Sequence, residues 1–155
     1  MNQDRQQMPD PSVIVIGYGN TLRGDDGAGQ RVATLVQQWN LPQVCSYPVH
    51  QLTPELAAEL ATAQIAIFVD AYAESSTVQV HSLSDEIATT TNSLGHTSNP
   101  RSLLNLAKTL YGATPTAWWV LIPAVNFDFG EQFSATTEAA ISVALEKIHQ
   151  LISDS

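Results

Sequence analysis

Four side chains have the type and placement for metal or acid–base chemistry: Asp25, Asp26, Asp70 and His96. Asp25 and Asp26 are adjacent in a glycine-rich turn, Asp70 ends an apolar run, and His96 sits in a long polar stretch. A carboxylate pair with one imidazole is an oxygen and nitrogen donor set suited to a divalent transition metal, with positions left over for water or substrate. Each residue alone has a plainer role. Acids at a helix start stabilise the positive end of its dipole by ~0.3–1 kcal/mol each, and that is the preferred reading of Asp25. Asp70 alone is a polar strand end bonded to a loop, and His96 alone is a surface histidine. The joint reading prevails if the fold gathers these residues at one rim.

Other candidates carry less. His50 stands near the same rim, before a capped helix, and is a possible lining residue; His81 and His149 fall in an edge strand and the last helix, where solvation accounts for them. Cys45 is the single cysteine, with no recognisable activating partner, and no serine or cysteine has the glycine-flanked elbow of an acyl-transfer nucleophile. Gly17-Tyr18-Gly19 invites a dinucleotide reading, but the third glycine of that fingerprint is replaced by Leu22. Two acids also stand where the pyrophosphate would sit, and like charges repel.

The elements that must position these residues follow from hydrophobic patterning. Residues 13–16, 65–69 and 118–122 are continuous apolar runs, the pattern of strands covered on both faces. Residues 43–49, limited by Pro48, and 78–83, which alternates imperfectly, predict weaker or edge strands. Helical spacing of Val32, Leu35, Val36 and Trp39 predicts a helix over 28–39, stopped by Pro42. Thr53-Pro54-Glu55 predicts a cap and a helix over 54–63. Asn99-Pro100 opens a helix ending near Gly112, and Ser134 or Thr136 caps a last one whose face is Ile141, Ala144, Leu145, Ile148 and Leu151. Residues 86–98, rich in threonine and serine, read as a loop of functional length. The alternation forces parallel pairing through right-handed crossovers, hence an α/β layered sheet with helices on both faces. In such sheets ligands bind outside the carboxyl ends of the strands, where the first strand-to-helix loop, Asp70 and the loop carrying His96 converge.

Composition sets the outer bounds. The chain has 155 residues, 6 Lys plus Arg against 15 Asp plus Glu, and a formal charge of -9, which makes nucleic acid an unfavourable partner. With 44% apolar and 14% charged residues it is a folding chain, long enough for one domain with a core of its own. One cysteine excludes an internal disulfide and any multi-thiolate zinc site, and a reducing, cytoplasmic setting is expected. Residues 1–12 lack a secretory pattern and read as a flexible tail, with 13–155 a single domain. No apolar run approaches the ~20 residues of a bilayer span, so no membrane partner is expected.

Gly17-Tyr18-Gly19-Asn20-Thr21-Leu22-Arg23-Gly24-Asp25-Asp26-Gly27-Ala28-Gly29, then Phe68-Val69-Asp70-Ala71, then Gly95-His96-Thr97-Ser98, closely resembles the hydrogenase maturation endopeptidases. These are nickel-dependent proteases that remove a C-terminal extension from the large subunit of [NiFe] hydrogenases. The likeness runs from Val13 to Leu151. It implies a three-layer α/β/α sandwich with a five-stranded, mostly parallel sheet and one antiparallel edge strand. It also implies Asp26, Asp70 and His96 as catalytic metal ligands. Asp26 stands where some members have Glu, one methylene longer, and Gly95 where some have proline before the histidine. The nickel would be carried by the large-subunit precursor, leaving the free enzyme without metal. Gln51-Leu52-Thr53-Pro54-Glu55-Leu56 looks like the subgroup serving soluble, bidirectional, NAD-linked hydrogenases. The alternative is a metal-sensing assembly factor for the same subunit that hydrolyses nothing.

Overall fold

The structure is a computed structural model that describes residues 11–83 and 99–154. Among the described residues, nine helices and strands follow in the expected order. They are β1 (Val13–Tyr18), α1 (Ala28–Gln37), β2 (Val44–Val49), α2 (Leu56–Thr62), β3 (Ile65–Tyr72), β4 (Gln79–Ser82), α3 (Pro100–Tyr111), β5 (Thr116–Pro123) and α4 (Ala135–Ser153). The strands form one five-stranded sheet in the order β2-β1-β3-β5-β4. β1 pairs in parallel with β2 and β3, β3 pairs in parallel with β5, and β4 closes the edge antiparallel to β5. The expected mostly parallel sheet with one antiparallel edge strand is therefore what forms.

Alternation of side chains along each strand builds two cores. Ile14, Ile16, Phe68 and Ala117 face one layer, where Leu56, Ala57 and Leu60 of α2 and Leu103, Leu104 and Ala107 of α3 pack. Val13, Val15, Ile67, Val69, Val120 and Ile122 face the other, against Val32 and Val36 of α1 and Ile141, Ala144 and Ile148 of α4. Fully burying each of these larger side chains contributes about 1.5–3 kcal/mol, which explains why β1, β3 and β5 are apolar at nearly every position. Pro48 is tolerated because β2 lies at the sheet edge.

The helix ends refine the expectations. Asn99 accepts a 2.9 Å bond from Ser102 N–H, Pro100 takes the first turn, and Gly112 closes α3 in the left-handed region. Ser134, not Thr136, caps α4 through Thr137 N–H. α1 stops at Gln37, before Pro42: Asn40 takes φ +54, so the chain has already left the helix. α2 starts at Leu56, two residues late, because Leu56, Ala57 and Ala58 N–H bond the carbonyls of Thr53, Pro54 and Glu55 in tighter turns, without a side-chain cap. Of the expected tail, residues 1–10 lie outside the described residues, while Ser12 bonds the backbones of Gln43, Gln64 and Ile65. The expected loop over 86–98 also lies outside them. Among the described residues no helix is long and apolar enough to cross a membrane.

Candidate active site

Asp25, Asp26 and Asp70 lie just past the end of β1 and near the end of β3. After β1 the chain turns at Gly19, whose φ of +142 suits glycine and whose position leaves no space for a side chain against the Asp26 carbonyl. Gly17 and Gly29 let strand and helix touch: a Cβ on Gly17 would stand 1.9 Å from the Gly29 carbonyl oxygen. The glycines thus serve close strand–helix packing. Residues 24–27 form a single 3-10 turn before α1 begins at Ala28.

Within that turn the two acids part. Asp25 is wholly buried, and its carboxylate accepts hydrogen bonds from the backbone N–H groups of Val125 and Asn126 at 2.9 Å and of Ser134 at 2.8 Å, plus the Ser134 hydroxyl at 2.8 Å. Its own N–H donates to the Asn126 carbonyl, Gly24 N–H to Gly130, and Gly130 N–H to Leu22. Burial by itself would raise this carboxyl, but the four donors outweigh it and hold the pKa down at about 2. The dipole reading of Asp25 is therefore corrected: it ties the loop over 124–134 to the loop over 20–27. With both oxygens engaged away from solvent, it is not placed to act as a base. Sequence patterning could not find this, because the partners are backbone groups about a hundred residues away.

Asp26 has a different set of neighbours. It is half-buried, and its Oδ2 accepts from Asn20 N–H at 2.8 Å. Asp70 stands near the carboxyl end of β3, half-buried, with Oδ1 accepting from Ala71 N–H at 2.8 Å. Burial pushes the Asp70 carboxyl up to about 7; hydrogen bonds from the Tyr18 hydroxyl and Ala71 N–H oppose the rise, and the negative charge of Asp26 adds to it. The fold thus brings Asp26 and Asp70 within electrostatic reach of one another. His96, the third member of the expected set, lies outside the described residues, and among those described no three His, Cys, Asp or Glu side chains gather as a metal site.

Around Asp70 the structure adds residues that sequence reasoning passed over. The Tyr18 hydroxyl, at the end of β1, accepts a 3.2 Å bond from Trp119 Nε1 and lies beside Asp70, near enough to act on its carboxyl. Burial and the Asp70 charge push the Tyr18 phenol well above its ordinary value. A cavity of about 750 Å³ opens beside Asp70, lined also by Tyr72, His81, Ser82, Arg101, Trp119 and Leu121. Arg101, in the first turn of α3, lies 5.5 Å from the Trp119 ring centroid, a cation–π distance. His81 is exposed and bonds Gln79, yet it lines this cavity. The His50 side chain is exposed, and its carbonyl accepts from Gly19 N–H.

Two carboxylates within electrostatic reach of one another, one of them raised by burial, are oxygen donors chemically fit for a divalent cation, whose charge would offset both the burial of Asp70 and its repulsion from Asp26.

No protein-family model matches the chain, and no curated protein does. Solved structures do. Hydrogenase maturating endopeptidase HybD from E. coli superposes with a TM-score of 0.73 at 20% identity, covering 92% of each chain. [NiFe] hydrogenase maturation protease HybD from Thermococcus kodakarensis gives 0.68 at 20% identity, over 90% of this chain and 97% of that one. Hydrogenase 2 maturation peptidase from Thaumarchaeota archaeon SCGC_AB-539-E09 gives 0.66 at 24% identity over 90% and 97%. The protein shares the fold of these maturation proteases.

Proposed function

We propose that this protein is an endopeptidase of hydrogenase maturation, removing the C-terminal extension of a [NiFe] hydrogenase large-subunit precursor after nickel insertion. The observation that carries the reading is Asp70. A carboxyl raised to about 7, beside Asp26 and at the mouth of a large cavity, is a perturbed group in a cleft, the usual mark of a reactive site. Shared fold with the maturation proteases and the motif resemblance around Asp26, Asp70 and His96 support it from a second direction.

In this reading Asp26, Asp70 and His96 engage the nickel that the precursor brings. Lewis-acid polarisation of the scissile carbonyl, or a lowered pKa of a bound water, is the chemistry such a metal-loaded substrate supplies. The protein's part is to hold two carboxylates at fixed positions and to seat the adjoining peptide in the cavity beside Asp70. Leu22, Val125 and Phe129, exposed on the two braced loops, offer apolar surface to a protein substrate. The stretch from Gln51 to Leu56 points to a soluble, bidirectional, NAD-linked hydrogenase as the client, which sets the reaction in the cytoplasm.

Incubation of the purified protein with nickel-loaded precursor, followed by mass spectrometry, tests the reading. Wild type should shorten the precursor, and Asp70→Ala should fold and leave it whole. Uncleaved precursor bound to wild-type protein would instead support the assembly-factor alternative, and full cleavage by Asp70→Ala would remove Asp70 from the site.

A further inference from the structure

Tyr18, Asp70 and Trp119 occupy the same face of the sheet on three neighbouring strands. Ile14 and Ile16 face the α2 and α3 layer, and two residues further along the same strand Tyr18 joins them. Ile16 is in register with Phe68, so the next step on that face sets Tyr18 level with Asp70. Trp119 is in register with Phe68 from the other side, one step back from Asp70. The three polar groups therefore meet above β3, at the margin between core and cavity.

We propose that Tyr18 is a positioning residue for Asp70: its hydroxyl, oriented by the indole N–H of Trp119, holds the Asp70 carboxylate in the orientation that receives a divalent cation. A tyrosine hydroxyl has one proton and can accept at its oxygen. With Trp119 Nε1 donating to that oxygen, the proton is left to turn toward Asp70, level with it on the neighbouring strand. Tyr18 is almost fully buried, so packing restrains its ring, whereas Asp70 at a strand end has only Ala71 N–H as a further described partner. A carboxylate facing a cavity gains orientation from such a bond, and partners of this kind behind a ligand typically change metal affinity or activity by about 10–100-fold.

The inference rests on the reading that Asp70 grips a divalent ion, and the test separates the two. Cadmium affinity is measured by calorimetry on wild type, Tyr18→Phe, Trp119→Phe and the double variant, beside kcat and KM for cleavage of nickel-loaded precursor and the melting temperature of each protein. Tyr18→Phe should bind Cd²⁺ about tenfold more weakly and lose kcat to a similar extent, with KM unchanged. Trp119→Phe should move both in the same direction by less, and adding it to Tyr18→Phe should cost nothing further, because both act through one hydroxyl. Equal affinity and kcat in wild type and Tyr18→Phe overturn the proposal and leave the reading of the site standing. A lower melting temperature in Tyr18→Phe with unchanged affinity makes the hydroxyl structural and overturns it as well. Wild type that neither binds Cd²⁺ nor cleaves overturns the underlying reading, and this inference with it.

Discussion

Asp25 and Asp70 are two acids at one rim of one sheet, and their surroundings drive them in opposite directions. Burial acts on both in the same sense, toward the neutral form. Asp25 has three backbone N–H groups and a hydroxyl to offset it and ends near 2; Asp70 has, among the described residues, one backbone N–H and one phenol, feels the charge of Asp26, and ends near 7. The supply of donors decides between them. A carboxylate whose oxygens are saturated away from solvent holds the structure together, whereas one raised by burial beside a cavity is available to a ligand.

The largest stability difference should come from removing the saturated acid. Asp25→Ala leaves the N–H groups of Val125, Asn126 and Ser134 without their acceptor and should destabilise the fold by on the order of 4 kcal/mol at pH 7. That lowers the melting temperature by roughly 10 °C for a chain of this size. Because the folded pKa lies below the unfolded value, the contribution is present above about pH 4 and is lost as pH falls toward 2. The gap between wild type and variant should narrow by about 2 kcal/mol over that window in a series of thermal melts, and a gap that persists unchanged at pH 2 would contradict the account.

Asp70 should behave in the opposite way. Its folded pKa is raised, so the favourable protonated form is complete below about pH 4 and is lost as pH rises through about 7. Asp70→Asn should therefore melt several degrees higher than wild type at pH 8 and lose most of that advantage at pH 4. Greater stability with less activity is the trade-off expected of a strained site residue. A variant less stable than wild type at pH 8 would place Asp70 with Asp25 among the structural acids.

The smallest effect sharpens the contrast within the Asp25 clamp. Ser134→Ala removes one of its four donors and the cap of α4, since Ser134 Oγ bonds both Asp25 and Thr137 N–H. Chemical denaturation should register a loss of about 1–2 kcal/mol, well short of Asp25→Ala.

Much of this fold was legible in the chain. The unbroken apolar runs ending at Ile16, Val69 and Ile122 became β1, β3 and β5, because only a strand buried on both faces has use for so many β-branched and aromatic side chains in sequence. Asn99-Pro100 marked the start of α3 and Gly112 the neighbourhood of its end, since caps are local chemistry. The start of α2 was less legible: Thr53 offered a cap that the backbone did not use, and boundaries of this kind depend on how the turn docks. At the site, the type and spacing of Asp26 and Asp70 marked them as candidates, while the roles of Asp25, Tyr18 and Trp119 were silent.

By itself, then, the order of residues determined the layers, the parallel sheet and the presence of two acids where β1 and β3 end, because hydrophobic period and capping act over a few residues at a time. Which acid is saturated and which is left open was decided only when Val125, Asn126 and Ser134 arrived beside Asp25, and Tyr18 and Trp119 beside Asp70. Hydrogen-bond supply and burial are properties of neighbours in space, and those neighbours lie roughly fifty to a hundred residues away along the chain.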